Sequence, residues 1–211
     1  QAAAAAGYST LLLERTALAA GTSSRSSKLI HGGLRYLESA QLGLVRESLR
    51  ERETLLRLAP GWVRLVPFYL PVYQTTSRRP WKSRLGLSLY TMLGAFRPTT
   101  RFAVIPREQW DNLDGLDTRC LQTVFRYHDA QTDDAALTRA VMHSAQSLGA
   151  ELLCPAEFIG AEKIQEGYRL RYAQAGTETE CRACSLVNAA GLWANDILTR
   201  LTPAVTPRPV E

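Results

Sequence analysis

A short apolar run followed by an acidic residue and a polar loop constrains the fold of this chain most. Residues 9–13 read STLLL and lead into Glu14, and residues 21–38 read GTSSRSSKLIHGGLRYLE. The apolar run predicts a buried strand of the kind found in parallel sheets. A loop so rich in hydroxyls and glycines suits a polyanionic cofactor better than a packed core. This order therefore predicts an α/β chain with a dinucleotide site.

The composition is that of a globular chain. Of its 211 residues, 45% are apolar and 21% are charged, and such a chain can bury the core of one large domain or two modest ones. No apolar run approaches the roughly 20 residues that span a bilayer, and the first residues do not read as a signal peptide. We therefore expect a cytoplasmic location. The net charge of +5 fits an anionic substrate, an anionic cofactor or an anionic membrane surface, and it does not distinguish among the three.

Residues 78–101 interleave basic and aromatic side chains. No known reader motif for nucleic acids accompanies them, so no nucleic-acid partner is expected. The segment could rest on the anionic inner face of a membrane. A helix packed on a sheet is the favoured alternative.

The four cysteines are Cys120, Cys154, Cys181 and Cys184. The last two form a CxxC, but the sequence offers no second CxxC and no paired histidines to complete a zinc site. We therefore expect buried free thiols and no metal.

Periodicity, prolines and glycines predict the remaining elements. Helices are expected at residues 1–6, 41–59, 81–96, 107–113, 133–148 and 192–201. Strands are expected at residues 64–73, 101–105, 121–128, 151–154, 158–161, 168–173, 178–182 and 185–190. Pro67 and Pro71 favour a sheet edge for the strand 64–73, and Thr132 is the expected N-cap of the helix that follows it.

This pattern predicts a nucleotide-binding α/β layer interrupted by a second domain. Residues 1–59 and 128–202 are expected to form a partial, discontinuous nucleotide-binding domain, and residues 60–127 an inserted second domain. Residues 203–211, rich in proline, are expected to be a linker.

Four kinds of side chain near the start of the chain could carry chemistry. Glu14 could accept hydrogen bonds from ribose hydroxyls, and the hydroxyls of residues 22–27 could bind a pyrophosphate. His31 is the natural general base, and Arg35 can hold a phosphate through a bidentate fork. Each has a plainer alternative: a solvated carboxylate, a serine-rich linker, an ordinary histidine, or an arginine paired with Glu38. Gly32 and Gly33 would let the backbone approach a planar ring, or would simply form a turn.

The same residues carry a family resemblance. GTSSRSSKLIHGGLRYLE and LVRESLRERETLLRLAP closely resemble the FAD-dependent glycerol-3-phosphate dehydrogenases of the aerobic type. YHDAQTDDAALTRAVM and LVNAAGLWAND resemble later segments of that family. The resemblance implies a glutathione-reductase-type FAD-binding fold with an inserted α+β substrate domain.

The resemblance also implies an activity: oxidation of sn-glycerol 3-phosphate to dihydroxyacetone phosphate by hydride transfer to FAD, with electrons passed to quinone or oxygen. His31 and Arg35 match catalytic positions, and Arg35 and Tyr36 match substrate-binding positions. The matching cofactor-binding positions are Glu14, Thr22, Ser23, Ser26, Ser27, Lys28, Gly32, Gly33, Ala190 and Gly191. The family allows peripheral contact with the membrane and a homodimer.

Two departures from the family pattern bear on activity. The GxGxxG motif that holds the FAD pyrophosphate in the family does not occur in this sequence, and the family continues beyond the equivalent of residue 211. We therefore expect a fragment that alone binds FAD weakly or not at all. A catalytically silent remnant and a flavin oxidoreductase of the amino-acid-oxidase type remain as alternatives.

Overall fold

The computed structural model describes residues 1–76 and 78–205. Its strands, in chain order, are β1 Leu11–Leu13, β2 Leu29–Ile30, β3 Val63–Tyr73, β4 Ala103–Ile105, β5 Leu121–Thr132, β6 Glu151–Leu153, β7 Glu157–Ile164, β8 Gly167–Gln174, β9 Thr177–Ala183 and β10 Leu201–Thr202. Its α-helices are α1 Ala2–Ala5, α2 Leu42–Leu58, α3 Pro80–Leu93, α4 Asp134–Ser147 and α5 Ala194–Thr199. Short 3₁₀ turns lie at Thr22–Ser24, Leu34–Leu37, Pro98–Thr100, Arg107–Asn112 and Gly191–Trp193.

The chain divides into two compact units. Residues 1–24 and 138–211 form unit 1, and residues 25–137 form unit 2. The domains predicted from the sequence assign cofactor binding to one set of residues and substrate binding to another. That assignment stays a prediction. Part of the expected linker, residues 206–211, lies outside the described residues.

Unit 2 is built on an antiparallel sheet centred on β5. Strand β3 pairs with β5 along its whole length, and β2 and β4 each pair with a part of β5. Strand β3 is at the edge of this sheet, as Pro67 and Pro71 predicted. Both prolines lie opposite even-numbered residues of β5. The Thr132 amide donates to the carbonyl of Lys28, on the β2 side of β5. The backbone N–H and C=O groups of the even-numbered residues of β5 therefore point away from β3. A proline of β3 opposite such a residue breaks no hydrogen bond between the two strands.

Helices α2 and α3 form the core of unit 2 because each has an apolar stripe. Val45 and Leu49 of α2 pack with Tyr90 of α3. Leu87 of α3 also packs with Val72 and Phe125, which point from β3 and β5. The helices predicted at residues 41–59 and 81–96 are confirmed, each shorter by one to three residues at an end.

Unit 1 contains two smaller sheets. Strands β1 and β6 pair in parallel. Strands β7, β8 and β9 form an antiparallel meander, with β10 parallel to β7. A small apolar cluster of Ala4, Met142, Ala145 and Ala150 joins α1 to α4.

Two local expectations about the strands were wrong. Strand β1 is not buried: Leu11 and Leu12 are 39% and 40% exposed, because β1 pairs only with β6 in the described part of the chain. Residues 185–190 form no strand, and Val187 is 83% exposed. An apolar run becomes a strand only where a neighbour supplies hydrogen bonds.

The N-cap of α4 is Asp133 rather than Thr132. The Asp133 carboxylate accepts from the amide of Ala136 at 3.0 Å, whereas the Thr132 hydroxyl donates to the carbonyl of Trp62 at 2.9 Å.

The cysteines are free, but Cys120 and Cys184 are exposed rather than buried. Among the described residues, no helix is both long and apolar enough to span a bilayer.

Candidate active site

The predicted catalytic and substrate residues lie together on the surface of unit 2. His31 follows β2 directly and is exposed, and Arg35 is exposed on the 3₁₀ turn Leu34–Leu37. The ring of Tyr36, on the same turn, lies 6.1 Å from the His31 ring between centroids. An imidazole, a guanidinium and a phenol therefore project from one short segment. This is a suitable set for a substrate that carries a hydroxyl and an anionic group.

Gly32 and Gly33 are required by contacts inside the protein. A Cβ on Gly32 would overlap the hydroxyl of Tyr90 and the side chain of Leu49. Gly33 has φ +76°, and a Cβ there would lie 2.7 Å from the Tyr36 ring. Packing thus accounts for both glycines, and their contact with a flavin stays a prediction.

A buried ion pair lies beneath this segment. The Arg52 side chain is 0% exposed, and its Nη1 donates to Asp129 Oδ1 at 2.6 Å. The same carboxylate oxygen accepts from the amide of Gly32 at 2.8 Å. Nη1 also donates to Tyr90 Oη and to the His128 carbonyl, each at 3.0 Å. One guanidinium therefore connects α2, α3 and β5 to the residue that follows His31.

The sequence prediction missed Arg52, Asp129 and Tyr90. One signal was present: position 52 continues the stripe of α2 that begins with Val45 and Leu49, so an arginine there lies on the apolar face. A charge on a buried stripe implies a buried partner. The sequence did not say which residue that partner was.

The environment of this pair keeps the neighbouring groups neutral. Burial, together with the nearby Asp129 charge, raises the pKa of Tyr90 well above its ordinary value, so its hydroxyl stays protonated. Desolvation, with the Arg126 and Arg52 charges, lowers the pKa of His128. His128 is therefore neutral at pH 7.

Ser26 and Lys28 bind the first residue of α4. The Ser26 hydroxyl and the Lys28 ammonium both donate to the carboxylate of Asp134, and the Ser26 oxygen also accepts from the Lys28 amide at 3.0 Å. These hydrogen bonds, led by that from Lys28, lower the pKa of Asp134 to about 2. Both predicted cofactor ligands thus have a partner within the protein, and Ser27 between them is exposed.

In unit 1, two chain neighbours of the predicted cofactor residues lie against the Trp193 ring. The Arg15 guanidinium lies 5.5 Å from the centroid of the Trp193 ring, and a Cβ on Gly21 would contact that ring at 3.5 Å. Asn188 Oδ1 accepts from the Ala190 amide at 3.2 Å and shapes the turn that leads to Gly191. The structure therefore brings the start of the serine-rich loop and the turn at residues 190–193 to one place.

Glu14 lies at the end of β1, as predicted. Its carboxylate accepts from the amide and the hydroxyl of Thr16, at 2.9 and 3.3 Å. Gly191 has φ +56°, and a Cβ there would meet no atom within 4 Å. A carboxylate, exposed hydroxyls at Thr22 and Ser23, and an open glycine turn form a donor and acceptor set that fits the ribose and phosphates of a dinucleotide.

The predicted site residues are divided between the two units. Unit 1 holds Glu14, Thr22, Ser23, Ala190 and Gly191. Unit 2 holds Ser26, Ser27, Lys28, His31, Gly32, Gly33, Arg35 and Tyr36. The described residues contain no group of three or more His, Cys, Asp or Glu side chains placed to hold a metal ion.

Comparison with known proteins identifies the class. A family model described as FAD dependent oxidoreductase matches residues 1–211. The chain therefore belongs to the family of FAD-dependent oxidoreductases, whose cofactor is FAD.

Individual relatives show which members of this family the chain resembles. The glycerol-3-phosphate dehydrogenase of Mycobacterium leprae strain TN is 38% identical over 200 residues, covering 92% of this chain and 34% of that protein. The D-erythritol 1-phosphate dehydrogenase of Brucella abortus strain 2308 is 37% identical over 213 residues, covering 99% of this chain and 42% of that protein. The resemblance predicted from the sequence motifs is confirmed. The chain spans roughly a third to two fifths of the length of these relatives.

A solved structure shows the same fold. The glycerol-3-phosphate dehydrogenase of Bacillus halodurans, complexed with FAD, superimposes with a TM-score of 0.65 at 24% identity. The superposition covers 90% of this chain and 31% of that one. The predicted α/β fold of FAD-binding type is confirmed.

Proposed function

We propose that the protein containing this chain oxidises the secondary hydroxyl of a polyol phosphate, with sn-glycerol 3-phosphate as substrate and dihydroxyacetone phosphate as product. The observation that carries the proposal is the exposed His31 on the same short segment as Arg35. The names of the relatives from M. leprae and B. abortus both denote dehydrogenation of a polyol phosphate, and this agrees with that pair of groups.

Each side chain has a task in this reaction. His31 takes the proton of the C2 hydroxyl, since a neutral imidazole is an effective base near pH 7. Arg35 binds the phosphate through two parallel N–H donors. Tyr36 lies against His31 and contributes a wall of the substrate site.

Residues of unit 1 would hold the ribose and the phosphates of the cofactor. Glu14 would bind the ribose, the exposed hydroxyls of Thr22 and Ser23 would bind the phosphates, and the open turn at Gly191 would allow close approach. FAD supplies the hydride acceptor when it is bound.

The test is a comparison of substrates with the flavin-loaded, full-length protein. Dye reduction is measured with sn-glycerol 3-phosphate, D-erythritol 1-phosphate and glycine at matched concentrations. We expect reduction with the polyol phosphates and none with glycine. Turnover of glycine alone would favour the amino-acid-oxidase alternative. A flavin-loaded protein that oxidises no substrate would be the silent remnant.

The electron acceptor and location follow from the same proposal. A protein of this activity would pass electrons to quinone at the inner face of the cell membrane, with its body in the cytoplasm. Helix α3 supports a peripheral contact because it buries Ser83, Leu87 and Tyr90 but exposes Trp81, at 63%, and Leu85. Basic side chains flank these apolar ones, as in helices that rest on anionic lipid.

Vesicle flotation tests this contact. The full-length protein should float with vesicles that contain anionic phospholipid and less with neutral ones. Trp81→Ser should reduce flotation, whereas Trp62→Ser, at another exposed tryptophan, should not. Equal flotation of the two variants would contradict the contact at α3. Light scattering in the same buffer decides between a monomer and the proposed homodimer.

A further inference from the structure

We propose that Arg52 and Asp129 are positioning residues that hold the His31 imidazole in place by fixing the backbone amide of Gly32. This inference rests on the proposed role of His31 as the base. It concerns residues in the interior of unit 2 that have no role in the activity proposed above.

The first argument is a break in the sheet. On the side of β5 away from β3, strand β2 ends opposite Ala130 and strand β4 begins opposite Arg126. The carbonyl of His128 lies in the gap between them and faces it, by the alternation of an antiparallel strand. Arg52 Nη1 donates to this carbonyl at 3.0 Å. The guanidinium thus supplies the hydrogen bond that a neighbouring strand would otherwise give to this carbonyl, at the point where the chain leaves the sheet.

The second argument is the route of the chain at this break. If β2 continued in register, Gly32 would lie opposite His128 and bond to its backbone. Instead the Gly32 amide donates to the Asp129 side chain at 2.8 Å. The carboxylate therefore turns the backbone out of the sheet directly after His31. Arg52 holds that carboxylate and also donates to the Thr99 carbonyl at 3.1 Å.

The third argument is energetic. A buried ion pair gives up the hydration of both charges, and apolar residues of similar size often stabilise a protein equally well. Arg52 also has an Nε that finds no partner among the described residues. Stability alone therefore does not account for this pair. Fixing one backbone amide beside an exposed histidine does.

Arg35 is held by a different set of contacts. Its neighbours Leu34, Tyr36 and Leu37 pack on the apolar cluster of Val45, Leu49 and Tyr90. Loss of the ion pair should consequently disturb His31 more than Arg35. In kinetic terms, kcat should fall while KM for the phosphate-bearing substrate changes little.

The experiment replaces the pair in the full-length, flavin-loaded protein. The double variant Arg52→Met with Asp129→Leu removes both charges and keeps the volume of the core. Asp129→Asn keeps an oxygen that can accept from Gly32. Arg50→Met, at an exposed position of the same helix, is the control. Kinetics with sn-glycerol 3-phosphate, flavin content and hydrogen exchange of the Gly32 amide are measured for each.

We expect the double variant to keep its flavin and to lose about 100-fold in kcat, as displacements of about 1 Å can cause, with KM changed less than about threefold. Exchange at Gly32 should become faster. Asp129→Asn should lie between the double variant and the wild type, and Arg50→Met should match the wild type. In a His31→Ala background, the double variant should cause no further loss.

The outcomes separate the two proposals. Slow exchange at Gly32 in the double variant would overturn the positioning role, whatever the activity. The positioning role would also be overturned if the double variant lost kcat equally in the wild-type and His31→Ala backgrounds, because such a loss would not act through His31. If the double variant fails to fold, Tyr90→Phe, which removes only the hydroxyl bonded to Arg52 and Asp129, takes its place with the same readouts. Wild-type protein with a protected Gly32 amide but no activity on polyol phosphates would refute the proposed function and leave the Gly32 contact standing.

Discussion

Tyr90 places its hydroxyl where a Cβ on residue 32 would lie. Its Cζ atom would be 2.8 Å from such a Cβ, and the Tyr90 side chain is fully buried, so it has little room to move. Only glycine therefore lets the backbone beside His31 pass this close to α3. The approach explains a glycine that the sequence alone attributed to cofactor contact.

Gly32→Ala should lower the free energy of unfolding by about 1–3 kcal/mol, the usual cost of extra volume in a packed core. Gly43→Ala is the matched control, since a Cβ on Gly43, within α2, would meet nothing within 4 Å. That change should raise stability by about 0.5–1 kcal/mol. Urea unfolding measures both. Equal effects at the two positions would contradict the close approach of Tyr90.

Asp134→Asn should change how stability depends on pH. The folded-state pKa of Asp134, about 2, is below that of an unfolded carboxyl, roughly 3.9. The carboxylate therefore stabilises the fold above pH 4, and this contribution is lost as the pH falls toward 2. The wild type should lose stability over that range more steeply than Asp134→Asn. Parallel curves would argue against the contact with Lys28 and Ser26, and Asp114→Asn, at an exposed site, is the control.

Asp133→Ala should cost about 1 kcal/mol, as the loss of an N-cap does. Asp133→Asn should cost little, because asparagine caps helices as well as aspartate. The pair separates the hydrogen bond to Ala136 from the effect of charge. Thermal unfolding decides, and a cost shared by both variants would point to charge instead.

His31→Ala in the flavin-loaded, full-length protein should lower kcat about 10²–10⁴-fold with flavin content unchanged, as the loss of a general base does. His143→Ala, at an exposed histidine of α4, should leave kcat unchanged. Unaltered turnover in His31→Ala would rule out His31 as the base.

Arg35→Lys should raise KM for sn-glycerol 3-phosphate, because an ammonium cannot reproduce the bidentate fork of a guanidinium. Steady-state kinetics are compared with those of Arg57→Lys, at an exposed position near the end of α2. We expect about a tenfold rise in KM for Arg35→Lys, equivalent to about 1.4 kcal/mol of binding. A rise of the same size in both variants would show that the bidentate fork at position 35 is not the cause.

Local sequence patterns predicted much of the fold. The stripe of α2 shows the 3.6-residue period of a helix, and Pro67 and Pro71 mark an edge strand because they lack an N–H. The run at residues 185–190 has the composition of a strand but no pairing partner within the described residues, so composition alone was misleading there.

Local sequence likewise predicted one part of the candidate site and not another. Residues 21–38 by themselves indicated the class of cofactor and placed His31, Arg35 and Tyr36 close together, because they are neighbours in the chain. The surroundings of these residues were not readable. Ser26 and Lys28 bind Asp134, more than 100 residues away in sequence, and no local period reports such a contact.

The sequence by itself determined the family, the main helices and the chemical groups at the surface, since these depend on neighbours within a few positions. Only the tertiary structure decided why the segment at His31 leaves the sheet where it does. Asp129 is 77 residues from Arg52 and 97 from Gly32. Their meeting depends on the register of β5 and the packing of α2 against it, and neither is encoded in any one stretch of the chain.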